Sequence, residues 1–152
     1  MNLVYAQRKA SPEAIYNHLM ACNKDFIPPL EEKVNISEYS MKIFEKSLTF
    51  EAWQGESLVG LVAAYFNDCT LNTAHITDVS VMRSYSGKGV AARLLKNCID
   101  YAAENSFKNI FLEVTRSNSL AVNLYKKLGF DVYEDKGIIS IMKLVIGTKG
   151  QL

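Results

Sequence analysis

The strongest constraint on the fold is the stretch from His75 to Ala103, where a strand, a glycine turn and a helix follow one another. The segment from His75 to Val81 is short and rich in β-branched residues, which is typical of a buried strand. The segment after the turn carries an apolar stripe at helical spacing, which predicts an amphipathic helix. The stripe consists of Val90, Ala91, Leu94, Leu95, Cys98, Ile99 and Ala102.

The turn itself reads Arg83-Ser84-Tyr85-Ser86-Gly87-Lys88-Gly89. The first N–H groups of the following helix have no partner within the helix, and the helix dipole adds to their attraction for an anion. Gly87 and Gly89 have no Cβ, so a phosphate group can approach the main chain closely. The pattern therefore predicts a turn that binds a diphosphate.

Two other phosphate-binding motifs can be compared with this turn. The segment from Gly87 to Ala92 satisfies the loose dinucleotide pattern G-x-G-x-x-A. However, the four residues from Arg83 to Ser86 intervene between the strand and Gly87, where the dinucleotide fold turns at once. The positions about 20 residues further on hold Phe107, Lys108 and Asn109 instead of an acid. The G-x-x-x-x-G-K-S/T motif of nucleotide-hydrolysing enzymes is not in the sequence. A nicotinamide-dependent oxidoreductase stays open as an alternative.

Composition restricts the class of protein. The 152 residues predict one domain over 1–146, followed by a flexible polar tail over 147–152. A net charge of +1 argues against a nucleic-acid binder, and the apolar runs are too short for a membrane span. Three cysteines without a CxxC pair predict reduced thiols and a cytoplasmic protein, and only two histidines predict no metal site.

The hydrophobic periodicity predicts eleven elements in the order βααβββαβαββ. Ser11 and Pro12 begin the first helix, which runs to about Asn23, and Ser37 is the expected N-cap of the second. Gly129 is placed to end the last helix in a left-handed conformation. The strands are expected at Leu3–Arg8, Thr49–Trp53, Leu58–Phe66, Thr73–Val81, Asn109–Thr115, Phe130–Tyr133 and Ile138–Val145. This order predicts a mixed sheet with helices on both faces.

A second motif follows the strand Asn109–Thr115. The segment from Asn118 to Phe130 reads N-x-x-A-x-x-L-Y-x-x-x-G-F. Together with the V-x-V of Val79 to Val81 and the G-x-G-x-A of the glycine turn, it resembles the GNAT superfamily of N-acetyltransferases. The resemblance implies an α/β (α+β) fold with a mixed, mostly antiparallel seven-stranded sheet and helices on both faces.

The resemblance also implies a binding site for acetyl-CoA, the acetyl donor. The main chain of Val79, Ser80 and Val81 is expected to bind the pantetheine arm, and Asn118 to contact the arm near its reactive end. Ser86 stands where the family usually has Arg or Gln, so Arg83 or Lys88 is expected to supply that phosphate contact. The expected pyrophosphate contacts are Ser86, Gly87, Lys88, Gly89, Val90 and Ala91.

The resemblance implies that Tyr125 protonates the departing thiolate, and the pKa of a phenol, about 10, suits that role. The attacking amine must be neutral, so a carboxylate with a raised pKa is a natural general base. Glu113 lies in an apolar strand, 12 residues before Tyr125, as in ribosomal-protein alanine acetyltransferases. Asp78 and His75 on the neighbouring strand are competing candidates, and water alone serves in many members of the family.

Transfer is expected to be direct, because neither Cys69 nor Cys98 fits the role of a nucleophile. The resemblance places the acceptor between the first two helices, their connecting loop and the last hairpin. The expected acceptor is a primary amine of a small molecule (aminosugar or amino-acid-like) or a peptide N-terminus, without nucleic-acid or membrane partners. A homodimer is compatible with the sequence. A non-catalytic acyl-CoA-binding module on the same fold is the alternative function.

Overall fold

The computed structural model describes residues 2–68 and 70–147, which form a seven-stranded sheet with helices on both faces. Cys69 and the tail from residue 148 lie outside the described residues. The strand order is β1-β2-β3-β4-β5-β7-β6, and β4–β5 is the parallel pair while the other neighbours are antiparallel. In chain order the elements are β1 Val4–Gln7, α1 Pro12–Cys22, α2 Ile36–Lys46, β2 Leu48–Gln54, β3 Ser57–Asp68, β4 Thr73–Val81, α3 Val90–Glu104, β5 Asn109–Thr115, α4 Ser119–Lys127, β6 Asp131–Lys136 and β7 Ile139–Val145.

The predicted order of elements is confirmed, and one predicted cap is wrong. Asn35, not Ser37, begins α2, because its side-chain oxygen accepts a hydrogen bond from the N–H of Glu38 at 2.9 Å. Ser11 caps α1 as predicted, and Gly129 has the positive φ expected after α4, at 104°. None of the helices in the described part of the chain is long and apolar enough to cross a membrane.

Two hydrophobic cores lie on opposite faces of the sheet. Helices α1 and α2 cover one face through residues such as Ile15, Leu19 and Ile43. Helices α3 and α4 cover the other face, where Leu94 and Tyr125 belong to the larger core. Gly60 of β3 allows α3 to pack closely, because a Cβ at this position would lie 2.9 Å from Val90 Cγ1. The start of α3 is thus held against the sheet directly behind the glycine turn.

A β-bulge at Thr77 changes the face toward which β4 directs its side chains. Asp78 pairs with Ala63 and Ile76 pairs with Ala64, so Thr77 is an additional residue on β4. Ile76 belongs to the core under α3, whereas Asp78 is directed to the α1 side. The bulge also frees the carbonyl of Thr77, which accepts a hydrogen bond from Tyr39 Oη at 2.7 Å. Regular alternation would have placed Ile76 and Asp78 on one face.

Glu51 on β2 fixes the connection that leads into α1. Its side chain is 0% exposed, and its carboxylate accepts hydrogen bonds from four groups. The donors are the main-chain N–H groups of Lys9 and Ala10, Thr49 Oγ1 and Trp53 Nε1, at 2.6 to 3.1 Å at their shortest. A buried carboxylate is tolerated when its oxygens are fully hydrogen-bonded.

Replacing Glu51 with Ala is expected to lower the free energy of unfolding by about 3 kcal/mol or more, because several buried donors lose a charged acceptor. Chemical denaturation monitored by circular dichroism measures this difference. Glu56→Ala is the matched control, since Glu56 is exposed in the β2–β3 turn and its loss should change stability by less than about 0.5 kcal/mol. Equal stability of the two variants would contradict the anchoring role of Glu51.

Candidate active site

An opening between β4 and β5 lies at the centre of the sheet. The two strands pair only from Thr73–Asn109 to Ile76–Leu112, and beyond this point they separate. Past Ile76, β4 is paired with β3 alone among the described strands, so its other edge exposes main-chain N–H and C=O groups. Such an edge can form β-like hydrogen bonds with an extended ligand.

Two clefts meet at this opening. The narrow cleft, about 220 Å³, extends between the separated strands to α4 and includes Val79, Val81, Asn118, Ala121 and Tyr125. The wide cleft, about 650 Å³, lies on the α2 side and has aromatic walls formed by Phe26, Tyr39, Tyr65, His75, Phe111 and Tyr133. Asp78 and Glu113 line both clefts. A molecule in one cleft can therefore reach a molecule in the other at these carboxylates.

The glycine turn follows directly after β4. Gly87 and Gly89 have φ angles of 73° and 80°, and nothing lies within 4 Å of where a Cβ would stand at either residue. Gly89 is the N-cap of α3 and offers no side chain to the first N–H groups of the helix. The main-chain groups of Val90 and Ala91 are therefore open to an anion, while the Val90 side chain packs into the core.

Two polar side chains of the turn, those of Ser86 and Arg83, already have partners within the protein. Ser86 Oγ donates a hydrogen bond to the carbonyl of Arg83 at 2.6 Å. The guanidinium of Arg83 pairs with Asp25, which belongs to the loop after α1. Lys88 is exposed at the tip of the turn. The turn thus offers main-chain N–H groups first, and its two cations, Lys88 and the Asp25-paired Arg83, are both exposed.

Asn118 and Tyr125 lie along the wall of the narrow cleft formed by α4. Asn118 is the N-cap of α4, since its Oδ1 accepts a hydrogen bond from the N–H of Ala121 at 3.2 Å. Tyr125 is buried, and its ring packs edge-on against Phe130 with a centroid distance of 6.0 Å. Burial, and secondarily the charge of Asp78, raises the pKa of Tyr125, so its hydroxyl stays protonated at neutral pH.

Asp78 is the buried acid of the site, with 3% of its surface exposed. Its Oδ2 accepts a hydrogen bond from Ser80 Oγ at 2.7 Å, and its Oδ1 has no hydrogen-bond partner among the described residues. Burial raises the pKa of Asp78 to about 7, against the smaller opposing effects of the Ser80 hydrogen bond and the charge of Lys33. Such a carboxyl can accept a proton near neutral pH.

Glu113 and His75 occupy different environments from Asp78. Glu113 lies within an apolar strand, but its side chain is exposed and lines both clefts. His75 is also exposed, and its ring stacks on Phe111 with a centroid distance of 5.8 Å. Among the three candidate bases, burial distinguishes Asp78.

The sequence interpretation missed His18 and the side-chain contacts of Ser80. Only the main chain of Ser80 was expected to bind the donor. Its hydroxyl, however, lies 2.9 Å from Nε2 of His18, which α1 buries against the sheet. The side chains of Val79 and Val81 pack against the core on the α3 side instead. A single histidine on an amphipathic helix gave no local signal, because its partners are 40 and 62 residues away.

Comparisons with known proteins converge on one family. The sequence profile described as the Acetyltransferase (GNAT) family matches residues 13–130. The chain is 33% identical over 90 residues to thialysine N-epsilon-acetyltransferase of Mus musculus, covering 57% of this chain and 53% of the mouse enzyme. It is 29% identical over 108 residues to ribosomal protein bS18-alanine N-acetyltransferase of Escherichia coli K12, covering 67% and 70% of the two chains. The chain thus spans about half the length of the mouse relative.

Solved structures show the same fold. The crystal structure of the Escherichia coli ribosomal-protein-S18-alanine N-acetyltransferase superimposes with a TM-score of 0.75 at 20% identity, covering 99% of this chain and 97% of the other. The PaiA N-acetyltransferase of Thermoplasma acidophilum, crystallised with coenzyme A, gives a TM-score of 0.74 at 17% identity, covering 95% and 99%. The predicted mixed, mostly antiparallel sheet with helices on both faces is confirmed.

Proposed function

This chain belongs to the GNAT family of acetyltransferases, and we propose that it transfers the acetyl group of acetyl-CoA directly to a primary amine. The amine belongs either to a small molecule (aminosugar or amino-acid-like) or to a peptide N-terminus. The observation that carries the proposal is the buried carboxylate of Asp78, which lines both clefts and whose Oδ1 has no hydrogen-bond partner among the described residues. A base at this junction can remove a proton from an amine in one cleft while that amine attacks a thioester in the other.

The narrow cleft and the glycine turn fit the donor. Open space at Gly87 and Gly89, together with the uncapped N-terminus of α3, suits a diphosphate. The free edge of β4 at Val79 to Val81 suits the amide groups of a pantetheine arm. Acetyl-CoA supplies the thioester, and a main-chain N–H near Val79 would stabilise the oxyanion that forms during transfer.

The wide cleft fits the acceptor. Six of its lining residues carry aromatic rings, and one of them, Tyr65, contributes a buried hydroxyl without a partner among the described residues. Lys143 Nζ lies 5.3 Å from the centroid of the ring of Tyr133, which lines this cleft. This surface favours an acceptor with an apolar or ring-containing body and an amine that reaches Asp78.

Proton transfer is assigned to Asp78 and Tyr125. Asp78 removes a proton from the attacking amine as the C–N bond forms, and its raised pKa of about 7 suits this step. Tyr125 donates its phenolic proton to the sulfur as the C–S bond breaks. Because the pKa of Tyr125 is raised, the hydroxyl is in the protonated form that this step requires.

The test is the release of coenzyme A thiol from acetyl-CoA in the presence of an amine panel. The panel contains aminosugars, amino acids, polyamines and short peptides with free N-termini. We expect turnover with at least one class and acetylated amine detected by mass spectrometry. Tight binding of coenzyme A in calorimetry without turnover on any amine would favour the non-catalytic binding module instead.

A further inference from the structure

A buried chain of hydrogen bonds connects Asp78 to helix α1. Ser80 Oγ lies 2.7 Å from Asp78 Oδ2 and 2.9 Å from His18 Nε2. His18 Nδ1 lies 2.9 Å from the carbonyl oxygen of Leu58. The exposed fractions of Asp78, Ser80 and His18 are 3%, 7% and 2%, so their polar atoms depend on one another for hydrogen bonds.

The number of protons in this chain is limited. The Leu58 carbonyl only accepts, so His18 must donate from Nδ1, and Nε2 of the neutral ring can then only accept. The Ser80 hydroxyl has one proton, yet both ionised Asp78 and His18 would accept it. The other nearby donor on α1 is the thiol of Cys22, 3.7 Å from Nε2, and a thiol is a weak donor.

One additional proton completes the chain. When Asp78 is protonated on Oδ2, it donates to Ser80 Oγ, and Ser80 in turn donates to His18 Nε2. Every side-chain polar atom of the chain except Asp78 Oδ1 then has a partner, and Asp78 lines both clefts. When Asp78 is ionised, Ser80 donates to Oδ2 and Nε2 keeps only the weak thiol contact.

We propose that Ser80 and His18 are positioning residues that hold Asp78 Oδ2 in this chain, present Oδ1 to the acceptor amine, and set the pH above which Asp78 is active. The inference rests on the proposed function of Asp78 as the base. His18 favours the protonated form of Asp78 because it accepts the Ser80 proton. Ser80 favours the ionised form, because a hydrogen bond to a carboxylate is stronger than one between neutral groups.

Other titratable groups also bear on Asp78. Lys33 favours its ionised form, and burial opposes it. Burial also lowers the pKa of His18 to about 4, so the ring is neutral at the pH of catalysis. The remaining groups come from α1, the following loop, α2, β3, β5 and α4, and they are Cys22, Asp25, Tyr39, Tyr65, Glu113 and Tyr125. Variants of Ser80 and His18 leave all of these in place.

Substitutions of His18 and Ser80 are expected to move the acidic limb of the pH profile in opposite directions. The acidic limb is the part of the profile in which kcat/KM rises with pH as Asp78 loses its proton. In His18→Leu, Ser80 always donates to Asp78, so the limb should shift to lower pH by about half a unit to one unit. In Ser80→Ala, the carboxylate loses its donor, so the limb should shift to higher pH by a similar amount. A purely structural role would reduce activity without this opposition in sign.

Ser40→Ala is the matched control for the loss of a buried hydroxyl. Ser40 on α2 donates to the carbonyl of Ile36 at 2.7 Å and lies outside the chain, so the limb should not move. Shifts of His18→Leu and Ser80→Ala in the same direction, or no shift in either, would overturn the proposal. Wild-type enzyme without any turnover would instead contradict the proposed function.

A spectroscopic measurement tests the chain independently of activity and of the folding of any variant. Nitrogen-15 NMR of the wild-type imidazole should show His18 as the Nδ1–H tautomer, without titration between pH 5 and pH 8. Detection of the Nε2–H tautomer, or of an imidazolium with a midpoint above pH 6, would overturn the assignment.

Discussion

Replacing Asp78 with Asn is expected to lower kcat/KM by about 100- to 10,000-fold and to remove the acidic limb near pH 7. Asn has nearly the same shape but cannot accept a proton from the amine. Steady-state kinetics from pH 5.5 to 9, with the best acceptor of the panel, measure both effects. Coenzyme A affinity, measured by calorimetry, should stay within a few-fold of the wild-type value.

Glu113→Gln is the decisive comparison, because Glu113 lines the same two clefts from the neighbouring strand. If Asp78 is the base, Glu113→Gln retains the acidic limb of the wild-type enzyme. Loss of the limb in Glu113→Gln, with Asp78→Asn unaffected, would assign the base to Glu113. An unchanged limb in both variants would remove both carboxylates from this role and leave water as the base.

The same Asp78 variant should be more stable than the wild-type protein at alkaline pH. The pKa of Asp78 is about 7 in the folded protein, against 3.8 for an ordinary aspartate in an unfolded chain. Because the folded state binds this proton more tightly, its stability falls as the pH rises from about 4 to above 7. This difference of about 3 pH units corresponds to roughly 4 kcal/mol. Asp78→Asn does not ionise, so its free energy of unfolding at pH 8 should exceed that of the wild type by a few kcal/mol, with little difference near pH 4.

Replacing Tyr125 with Phe is expected to lower kcat by about 10- to 1,000-fold, because the departing thiolate loses its proton donor. The ring contact with Phe130 is retained in the variant, so the fold and coenzyme A affinity should be nearly unchanged. Stopped-assay measurement of thiol release gives kcat, and calorimetry gives the affinity. A wild-type kcat would exclude Tyr125 as the proton donor.

Tyr101→Phe is a suitable control for the removal of a phenolic hydroxyl. Tyr101 lies on α3, and its ring contacts Phe50 and Phe66 in the core, away from both clefts. It should therefore retain wild-type kcat. An equal loss of activity in the two variants would indicate a general effect of losing a hydroxyl rather than proton transfer from Tyr125.

Local patterns were sufficient for the order of the elements. The periodicity of apolar residues is a signal that acts over a few positions. The glycines of the turns act equally locally, and each has the positive φ that favours glycine, at Gly87, Gly89 and Gly129. The cap of α2 was misplaced because Asn35 and Ser37 are both good N-cap residues, and propensity does not discriminate between them.

The sequence by itself determined the family, the strand–turn–helix that presents main-chain N–H groups, and the short set of candidate acids. Only the tertiary structure decided which acid is buried. The bulge at Thr77 depends on how β4 pairs with β3, and it turns Asp78 toward His18, 60 residues earlier in the chain. A strand's own alternation does not encode such a shift of register, because the shift arises from long-range pairing.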